Sequence, residues 1–188
     1  MSRVKPPNNW CVITGGPSSG KTTTVNLLRD RGFKTTIEHA RHYLDTMLRE
    51  GHSVEETRRN QASFQLGVLE MQIEQEAALD PNELVFLDRA IPDALAYYRF
   101  LNLPPDERLL DALKRVAYRA VFLLDPLPLV QDYARTEDKA AQFTIHRLLS
   151  EVYSSLGYAI TVVPIADPEK RVDVILAGCA AVGIHLTQ

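Results

Sequence analysis

The sequence predicts an α/β fold, in which helices cover both faces of a doubly wound, mostly parallel sheet of five strands. Short apolar, β-prone runs alternate with helical patterns along the chain, and a glycine-rich loop joins the first run to the first helix. Two runs, at 84–87 (LVFL) and 119–124 (RAVFLL), have the apolar character of parallel strands that are covered on both faces. Such sheets bind ligands beyond the carboxyl ends of their strands.

The predicted strands and helices alternate in chain order. Each strand is a short apolar run bounded by turn residues, at 10–14, 33–37, 84–87, 119–124 and 158–163. The predicted helices lie at 21–31, 38–50, 53–80, 92–100, from the loop 103–106 to 115, 145–156 and 168–181, and those at 53–80 and 145–156 carry apolar residues three and four positions apart. This alternation predicts helical crossovers and therefore parallel strands.

Glycine, proline and capping residues indicate where the helices begin and end. Gly32 and Gly157 follow helical patterns, where a glycine commonly ends a helix. Pro92 is placed to open a helix after the third strand. Ser53 and Glu56 have the spacing of a capping box, which predicts that one long helix begins there.

Length, charge and hydropathy limit the class of protein. The 188 residues predict one domain, 1–188, with a polar N-terminal tail at 1–9. The formal net charge of −3 provides no strong positive field, so nucleic acid is not an expected partner. No apolar run reaches the roughly 18 residues of a transmembrane helix, and the start of the chain lacks a signal-peptide pattern, so we expect a cytoplasmic protein.

The loop after the first strand matches the phosphate-binding pattern G-x-x-x-x-G-K-[ST], with the strand before it and the helix after it that the pattern requires. We expect its N–H groups to surround phosphate oxygens, Lys21 to neutralise the β- and γ-phosphates, and the Thr22 hydroxyl to bind Mg²⁺. A glycine-rich turn without this role is the alternative. The predicted nucleotide-binding residues are Gly15, Gly16, Pro17, Ser18, Ser19, Gly20, Lys21, Thr22 and Thr23.

Two acidic residues follow strands at the same edge of the predicted sheet. Asp88 comes directly after LVFL and is the expected second magnesium residue, with a helix cap as the alternative. Glu38 follows the second strand and is a candidate to take a proton from an attacking hydroxyl. Its alternative role is to cap the helix that begins after it.

Substrate-binding residues are expected beside these acids. Arg89 can pair with a substrate phosphate or carboxylate, or form a structural ion pair, and Arg41 is a candidate substrate anchor. A polar set on the long helix, together with two tyrosines after Asp88, either lines a second-substrate pocket or forms the wet face of a helix. This set consists of Gln61, Gln65, Gln72, Glu76, Tyr97 and Tyr98.

A charged stretch at 129–139 follows the fourth strand, in the position of the mobile lid of small P-loop kinases. Arg135 in this stretch is predicted to close over the transferring phosphoryl group, because such a reaction depends mainly on positioning and charge neutralisation. A solvated surface loop is the alternative.

With these motifs in this order, the chain resembles the AAA-type P-loop domains of the NadR-like family, which group near nucleoside and nucleotide kinases. The resembling segments cover residues 10–176 and read ITGGPSSGKTT, IEHAR, VFLDRAIPDALAYY, LPLVQDYARTED and EVYSSLGY. The resemblance implies a P-loop NTPase fold of the nucleoside- and nucleotide-kinase type and ATP or GTP binding. It also implies phosphate binding at 15–23, magnesium at Asp88 and a lid role for Arg135.

Similarity to deoxynucleoside kinases supports Glu38 as a base and Asp88 with Arg89 as an acidic-arginine pair. Two departures limit the comparison. The pair continues as Asp-Arg-Ala where those kinases usually have Glu-Arg-Ser, so the similarity does not imply a nucleoside substrate for this chain. Ser18 stands where related loops often have glycine, which makes a left-handed backbone less favourable there.

Two functions are compatible with these residues. The first is Mg²⁺-dependent phosphoryl transfer from ATP, or GTP, to a small-molecule hydroxyl, with Lys21, Glu38, Asp88 and Arg135 as catalytic residues. The second, suggested by the mixed functions of the resembled family, is a nucleotide-gated switch that binds a protein partner or an anionic phospholipid. No N-K-x-D guanine signature follows the last strand, which favours ATP.

Overall fold

A computed structural model describes residues 7–129 and 138–186 of the chain. In these residues five strands form one sheet in the order β2-β3-β1-β4-β5, and neighbouring strands are parallel. The strands are β1 (Trp10–Thr14), β2 (Lys34–Thr35), β3 (Val85–Asp88), β4 (Ala120–Leu124) and β5 (Ile160–Val163). The predicted α/β class and five-stranded parallel sheet are therefore confirmed.

Helices connect the strands and cover the sheet. Those in the described part of the chain are α1 (Lys21–Asp30), α2 (His39–Arg49), α3 (Val54–Arg59), α4 (Gln61–Ala77), α5 (Ile91–Phe100), α6 (Glu107–Arg115), α7 (Lys139–Ser155) and α8 (Pro168–Ala181). None of these helices is long and apolar enough to cross a membrane.

Each face of the sheet has its own hydrophobic core, which confirms the doubly wound arrangement. Cys11 and Ile13 of β1 pack with α1 and α8 on one face. Val12 packs with α4, α5, α6 and α7 on the other face. Because successive strand residues point to opposite faces, covering both faces requires the wholly apolar strands seen in the sequence.

The prediction of a single helix from Ser53 to Asp80 is wrong, because the chain forms two helices there. The capping box at Ser53 and Glu56 is present and opens α3. Asn60 then leaves the helical conformation, with φ −103° and ψ 87°, and its side chain accepts a hydrogen bond from the Ser63 N–H. Asparagine is a strong N-cap residue, so α4 begins anew after this turn.

The second strand is shorter than predicted, because at its end a hydrogen bond to the Thr36 side chain takes the place of a main-chain hydrogen bond between the strands. Only Lys34 and Thr35 pair with β3. Thr36 donates its N–H to the Phe86 carbonyl, and its hydroxyl accepts the Asp88 N–H at 2.9 Å. This bond fixes the carboxyl end of β3 next to the chain that leads to Glu38.

Two predicted segments lie partly outside the described residues. Residues 130–137, which include Arg135 and most of the predicted lid, lie outside the described residues. Of the predicted N-terminal tail, the described residues Asn8 and Asn9 donate main-chain hydrogen bonds to the Ala117 and Pro81 carbonyls. These two residues are therefore tied to the domain.

Candidate functional site

The loop at residues 15–20 is held in place by hydrogen bonds to its carbonyls. Each carbonyl accepts a hydrogen bond, and the donors in loop order are Lys21 Nζ (Gly15 and Gly16), Gln142 Nε2 (Pro17), the Leu127 N–H (Ser18), Arg171 Nη1 (Ser19) and the Thr24 N–H (Gly20). In a trans peptide the N–H points away from the preceding carbonyl. Within each peptide unit of the loop, the N–H therefore points away from the group that holds the carbonyl. Successive N–H groups in such a loop can bind an anion.

The loop takes this path through residues with positive φ. Gly15 has φ 153° and Gly20 has φ 81°. A Cβ on Gly15 would lie 2.7 Å from the Leu124 carbonyl oxygen, so glycine is required for the close approach to β4. Ser18 is left-handed at φ 52°, as expected from its replacement of a glycine, and this conformation costs about 1–2 kcal/mol.

Lys21 and Asp88 are buried side chains of opposite charge at the end of the sheet, with 6% and 3% exposure. Asp88 lies level with Ile13, just before the loop. Burial lowers the pKa of Lys21 and raises the pKa of Asp88. Asp88 does not cap α5, whose N-cap is Ala90. Its buried Oδ1 has no hydrogen-bond partner among the described residues, which leaves an oxygen suited to a hard cation.

The residues present fit Mg²⁺. The Oδ1 of Asp88 and the exposed Thr22 hydroxyl are oxygen donors, the ligand type that Mg²⁺ prefers. Among residues 7–129 and 138–186, no group of three or more His, Cys, Asp or Glu side chains could hold a metal ion. Mg²⁺ at this site would therefore take further ligands from nucleotide phosphates and water, which is its usual mode in such sites.

Arg89 joins the two acids on either side of it. Its Nε and Nη2 lie 3.3 Å from Glu38 Oε1, and its Nη1 lies 3.4 Å from Asp93 Oδ1. The guanidinium carbon is 5.3 Å from the centre of the Tyr97 ring, within the range of a cation–π contact. Glu38 occupies the N-cap position of α2, but its side chain makes no capping hydrogen bond. The structural ion pair considered for Arg89 is thus present, and it turns Glu38 towards the site.

Asp93 is a site residue that the sequence did not reveal. It is 3% exposed and accepts hydrogen bonds from the Thr14 hydroxyl at 2.7 Å and the Tyr153 hydroxyl at 2.6 Å, as well as from Arg89. Thr14 directly precedes the loop, and Tyr153 lies on α7. Asp93 therefore connects the loop, Arg89 and α7. Asp93 follows Arg89 by four residues, and this spacing in a helix is the sequence feature that could have indicated their ion pair.

A partly open cavity of about 190 Å³, here called the acceptor cavity, lies beside these residues. Pro17 of the loop, Glu38 and Arg89 line it, and Phe64 and Tyr97 contribute aromatic rings. Its lining residues are Pro17, Glu38, His39, Ala40, Gln61, Phe64, Gln65, Val68, Leu69, Gln72, Arg89, Ala90, Asp93, Ala94, Tyr97, Phe100 and Leu101.

The polar face of α4 points inwards, so the wet-face interpretation of the glutamine set is wrong. Gln65, Gln72 and Glu76 are 7%, 5% and 3% exposed, and the first two line the acceptor cavity with Gln61. Gln72 donates to Glu76, whose carboxylate also accepts the Tyr118 hydroxyl. Arg41 lies half-buried on α2 and is not among the cavity-lining residues.

Gln142 and Arg171 hold the loop but lie far from it in the sequence. Each is 2% exposed, and each occupies the first turn of a helix whose following buried positions are apolar. A polar residue that starts an apolar stripe was the only sequence signal. Pairing with the loop depends on tertiary structure, so the sequence could not assign either residue to it.

A family model described as an AAA domain matches residues 10–171. No curated protein sequence matches the chain. Solved structures match over most of its length. A NadR protein in complex with NAD and AMP-PNP aligns with a TM-score of 0.64 at 16% identity, over 95% of this chain and 51% of that chain. The present chain thus spans about half the length of that protein.

Two further solved structures match over nearly their whole length. A deoxyadenosine kinase from M. mycoides has a TM-score of 0.65 at 13% identity, with 92% of this chain and 99% of that chain covered. A thymidylate kinase from Ehrlichia chaffeensis has a TM-score of 0.65 at 15% identity, with 93% and 100% covered. At these identities the similarity shows the fold, which is that of P-loop nucleoside and nucleotide kinases.

Proposed function

The chain belongs to the AAA-domain family of P-loop proteins, and from this premise we propose that it transfers the γ-phosphoryl group of ATP to a hydroxyl of a small molecule bound in the acceptor cavity. One observation carries the proposal: Glu38 and Pro17 of the phosphate loop line the same cavity. A candidate base, a phosphate-binding loop and space for an acceptor therefore meet at one edge of the sheet.

The phosphate loop supplies most of the nucleotide binding in this proposal. Its outward N–H groups bind the phosphates, and Lys21, now bonded to the Gly15 and Gly16 carbonyls, moves its ammonium group to the β- and γ-phosphate oxygens. Thr22 and Asp88 would hold Mg²⁺, which supplies charge neutralisation on the phosphates when bound. The base is ATP rather than GTP in this proposal, because no guanine signature is present.

Glu38 accepts the proton of the attacking hydroxyl. The acceptor oxygen then bonds to the γ-phosphorus as the bond between that phosphorus and the bridging oxygen breaks, and ADP leaves. Arg89 orients Glu38 through its contacts at 3.3 Å. Arg135, which lies outside the described residues, is proposed to neutralise the equatorial phosphoryl oxygens from the lid.

The cavity also limits the class of acceptor. Its volume of about 190 Å³ is below the roughly 300–1,000 Å³ of drug-sized sites, so the acceptor is compact. Among its described lining residues, the guanidinium of Arg89 faces the carboxylates of Glu38 and Asp93, which disfavours an anionic acceptor. Aromatic rings and glutamine amides favour a flat ring with amide-like hydrogen-bonding groups, as in a nucleoside.

The proposal is tested by measuring transfer of radiolabelled phosphate from ATP with Mg²⁺ to a panel of nucleosides, nucleotides and pyridine ribosides. We expect labelled product from one acceptor, loss of both nucleotide binding and transfer in Lys21→Ala, and retained nucleotide binding in Glu38→Gln. A lost general base lowers the rate by about 10²–10⁴-fold. Lys114→Ala and Glu55→Gln, at exposed positions of α6 and α3, are the matched controls.

Release of free phosphate alone would contradict the proposal. If this release is lost in Lys21→Ala but kept in Glu38→Gln, the site binds and hydrolyses nucleotide without a base at Glu38. The nucleotide-gated switch, with a protein partner or an anionic phospholipid, would then be the better account.

A further inference from the structure

Arg171 places a buried positive charge directly behind the phosphate loop. It is 2% exposed, and its Nη1 donates to the Ser19 carbonyl at 2.6 Å. Its Nη2 donates to the carbonyls of Asp125 and Val163, at 3.0 and 3.3 Å. A Cβ on Gly20 would lie 2.9 Å from Nη1, so the loop passes against the guanidinium.

The charge of Arg171 is only partly compensated by the chain. These three hydrogen bonds go to main-chain carbonyls rather than to carboxylates, and within residues 7–129 and 138–186 its buried Nε has no hydrogen-bond partner. Burial lowers the pKa of Arg171, and the charge of Asp125 opposes this effect. Burying a charge without a close counter-ion is costly, so an anion bound nearby would stabilise this position.

The bond to the Ser19 carbonyl also acts through the peptide group itself. The Ser19 carbonyl and the Gly20 N–H belong to the same peptide unit and point in opposite directions. A charged donor on the carbonyl polarises this unit and makes the N–H a stronger donor. Because the Gly20 N–H points away from Arg171, this effect is directed at an anion on the other side of the Ser19–Gly20 peptide.

We infer that Arg171 is a positioning residue of the phosphate site, whose charge behind the loop is balanced by the polyphosphate group of a nucleotide bound in front of it. The inference rests on the phosphate-binding half of the proposed function. Lys21 acts from the front of the loop and touches the phosphates. Arg171 acts from behind, through the Ser19–Gly20 peptide and through its field.

The test is calorimetric titration of tripolyphosphate and of ADP, each at two salt concentrations, into four forms of the full chain. These are wild type, Arg171→Gln, which removes the charge, Arg171→Lys, which keeps it, and Arg119→Gln. Arg119 is a matched control, because this exposed arginine also donates to a main-chain carbonyl, that of Val182. Tripolyphosphate isolates phosphate binding from recognition of the base.

We expect Arg171→Gln to raise the Kd for tripolyphosphate and ADP by about tenfold, which is the effect expected from losing one charge-assisted hydrogen bond. Its Kd should also depend less steeply on salt. Arg171→Lys should stay within about threefold of wild type, and Arg119→Gln should bind like wild type. Without ligand, Arg171→Gln should melt lower than wild type, since the carbonyls of Ser19, Asp125 and Val163 lose a donor. A purely structural arginine would show the same lower melting temperature but leave affinity intact, so the Kd distinguishes the two roles.

Wild-type affinity in Arg171→Gln overturns this inference, as does equal loss of affinity in the Gln and Lys variants. If Arg171→Gln does not fold, the Arg171→Lys variant provides the test. A normal melting temperature of Arg171→Lys together with a tenfold loss of its affinity would also overturn the inference. If wild type itself binds neither tripolyphosphate nor ADP, the proposed function fails together with this inference. Binding by wild type with no effect at Arg171 removes the inference alone.

Discussion

Replacing Asp93 by alanine tests whether one buried carboxylate holds the loop, Arg89 and α7 together. The change removes acceptors for the Thr14 hydroxyl at 2.7 Å and the Tyr153 hydroxyl at 2.6 Å, and both donors would remain buried. A hydrogen bond to a charged group contributes about 1.5–3 kcal/mol. Arg89 keeps Glu38 as a partner, so its loss is smaller. We therefore expect the free energy of unfolding to fall by about 3–5 kcal/mol.

Urea unfolding measures this loss, and the fluorescence of Trp10, the single tryptophan, reports on the core because its side chain is 4% exposed. Tyr153→Phe removes one of the two hydroxyl bonds and should cost less than Asp93→Ala. Asp111→Ala is the matched control, since Asp111 is exposed and pairs with Lys114 on the same helix. A loss in Asp93→Ala no larger than in Asp111→Ala would refute the reasoning.

Two further predictions concern pH and the loop backbone. Burial raises the pKa of Glu76 from 4.5 to about 7, so its contribution to stability is complete below pH 4.5 and is lost as the pH rises through 7. Glu76→Gln should flatten this decline in the urea midpoint, and an identical decline in both proteins would contradict the assignment. Gly20→Ala should abolish ADP binding in calorimetry, because φ is 81° and its Cβ would meet Arg171 at 2.9 Å. Gly51→Ala, with φ 92° and open space around it, should keep wild-type binding, and equal loss in both would rule out this explanation.

Local patterns were sufficient to predict the sheet and the edge at which the site forms. The loop motif, the apolar run before Asp88 and the short strand before Glu38 all end at the carboxyl edge of a parallel sheet. These features depend on residues close together in the chain. The roles assigned to Glu38 and Asp88 remain predictions, although neither side chain caps the helix that follows it.

Contacts between distant elements could not be predicted in the same way. Arg89 reaches Glu38 and Asp93 because its backbone is left-handed, with φ 69°, and no sequence pattern specifies that turn. The sequence left Gln65 open between the cavity and solvent, because periodicity alone does not show which face of α4 the fold covers. The break at Asn60, which begins α4 anew, was hidden within a continuous helical pattern.

Filling the acceptor cavity tests the central claim most directly. Ala94 lies on α5 and lines the cavity, whereas Ala62 is exposed on α4 and does not. We expect Ala94→Leu to raise the KM for the acceptor identified in the transfer assay by about tenfold, since overpacking a site costs about 1–3 kcal/mol, while the Kd for ATP is unchanged. Ala62→Leu should match wild type in both. Normal transfer by Ala94→Leu, or an equal loss of ATP binding, would contradict the claim that this cavity holds the phosphate acceptor.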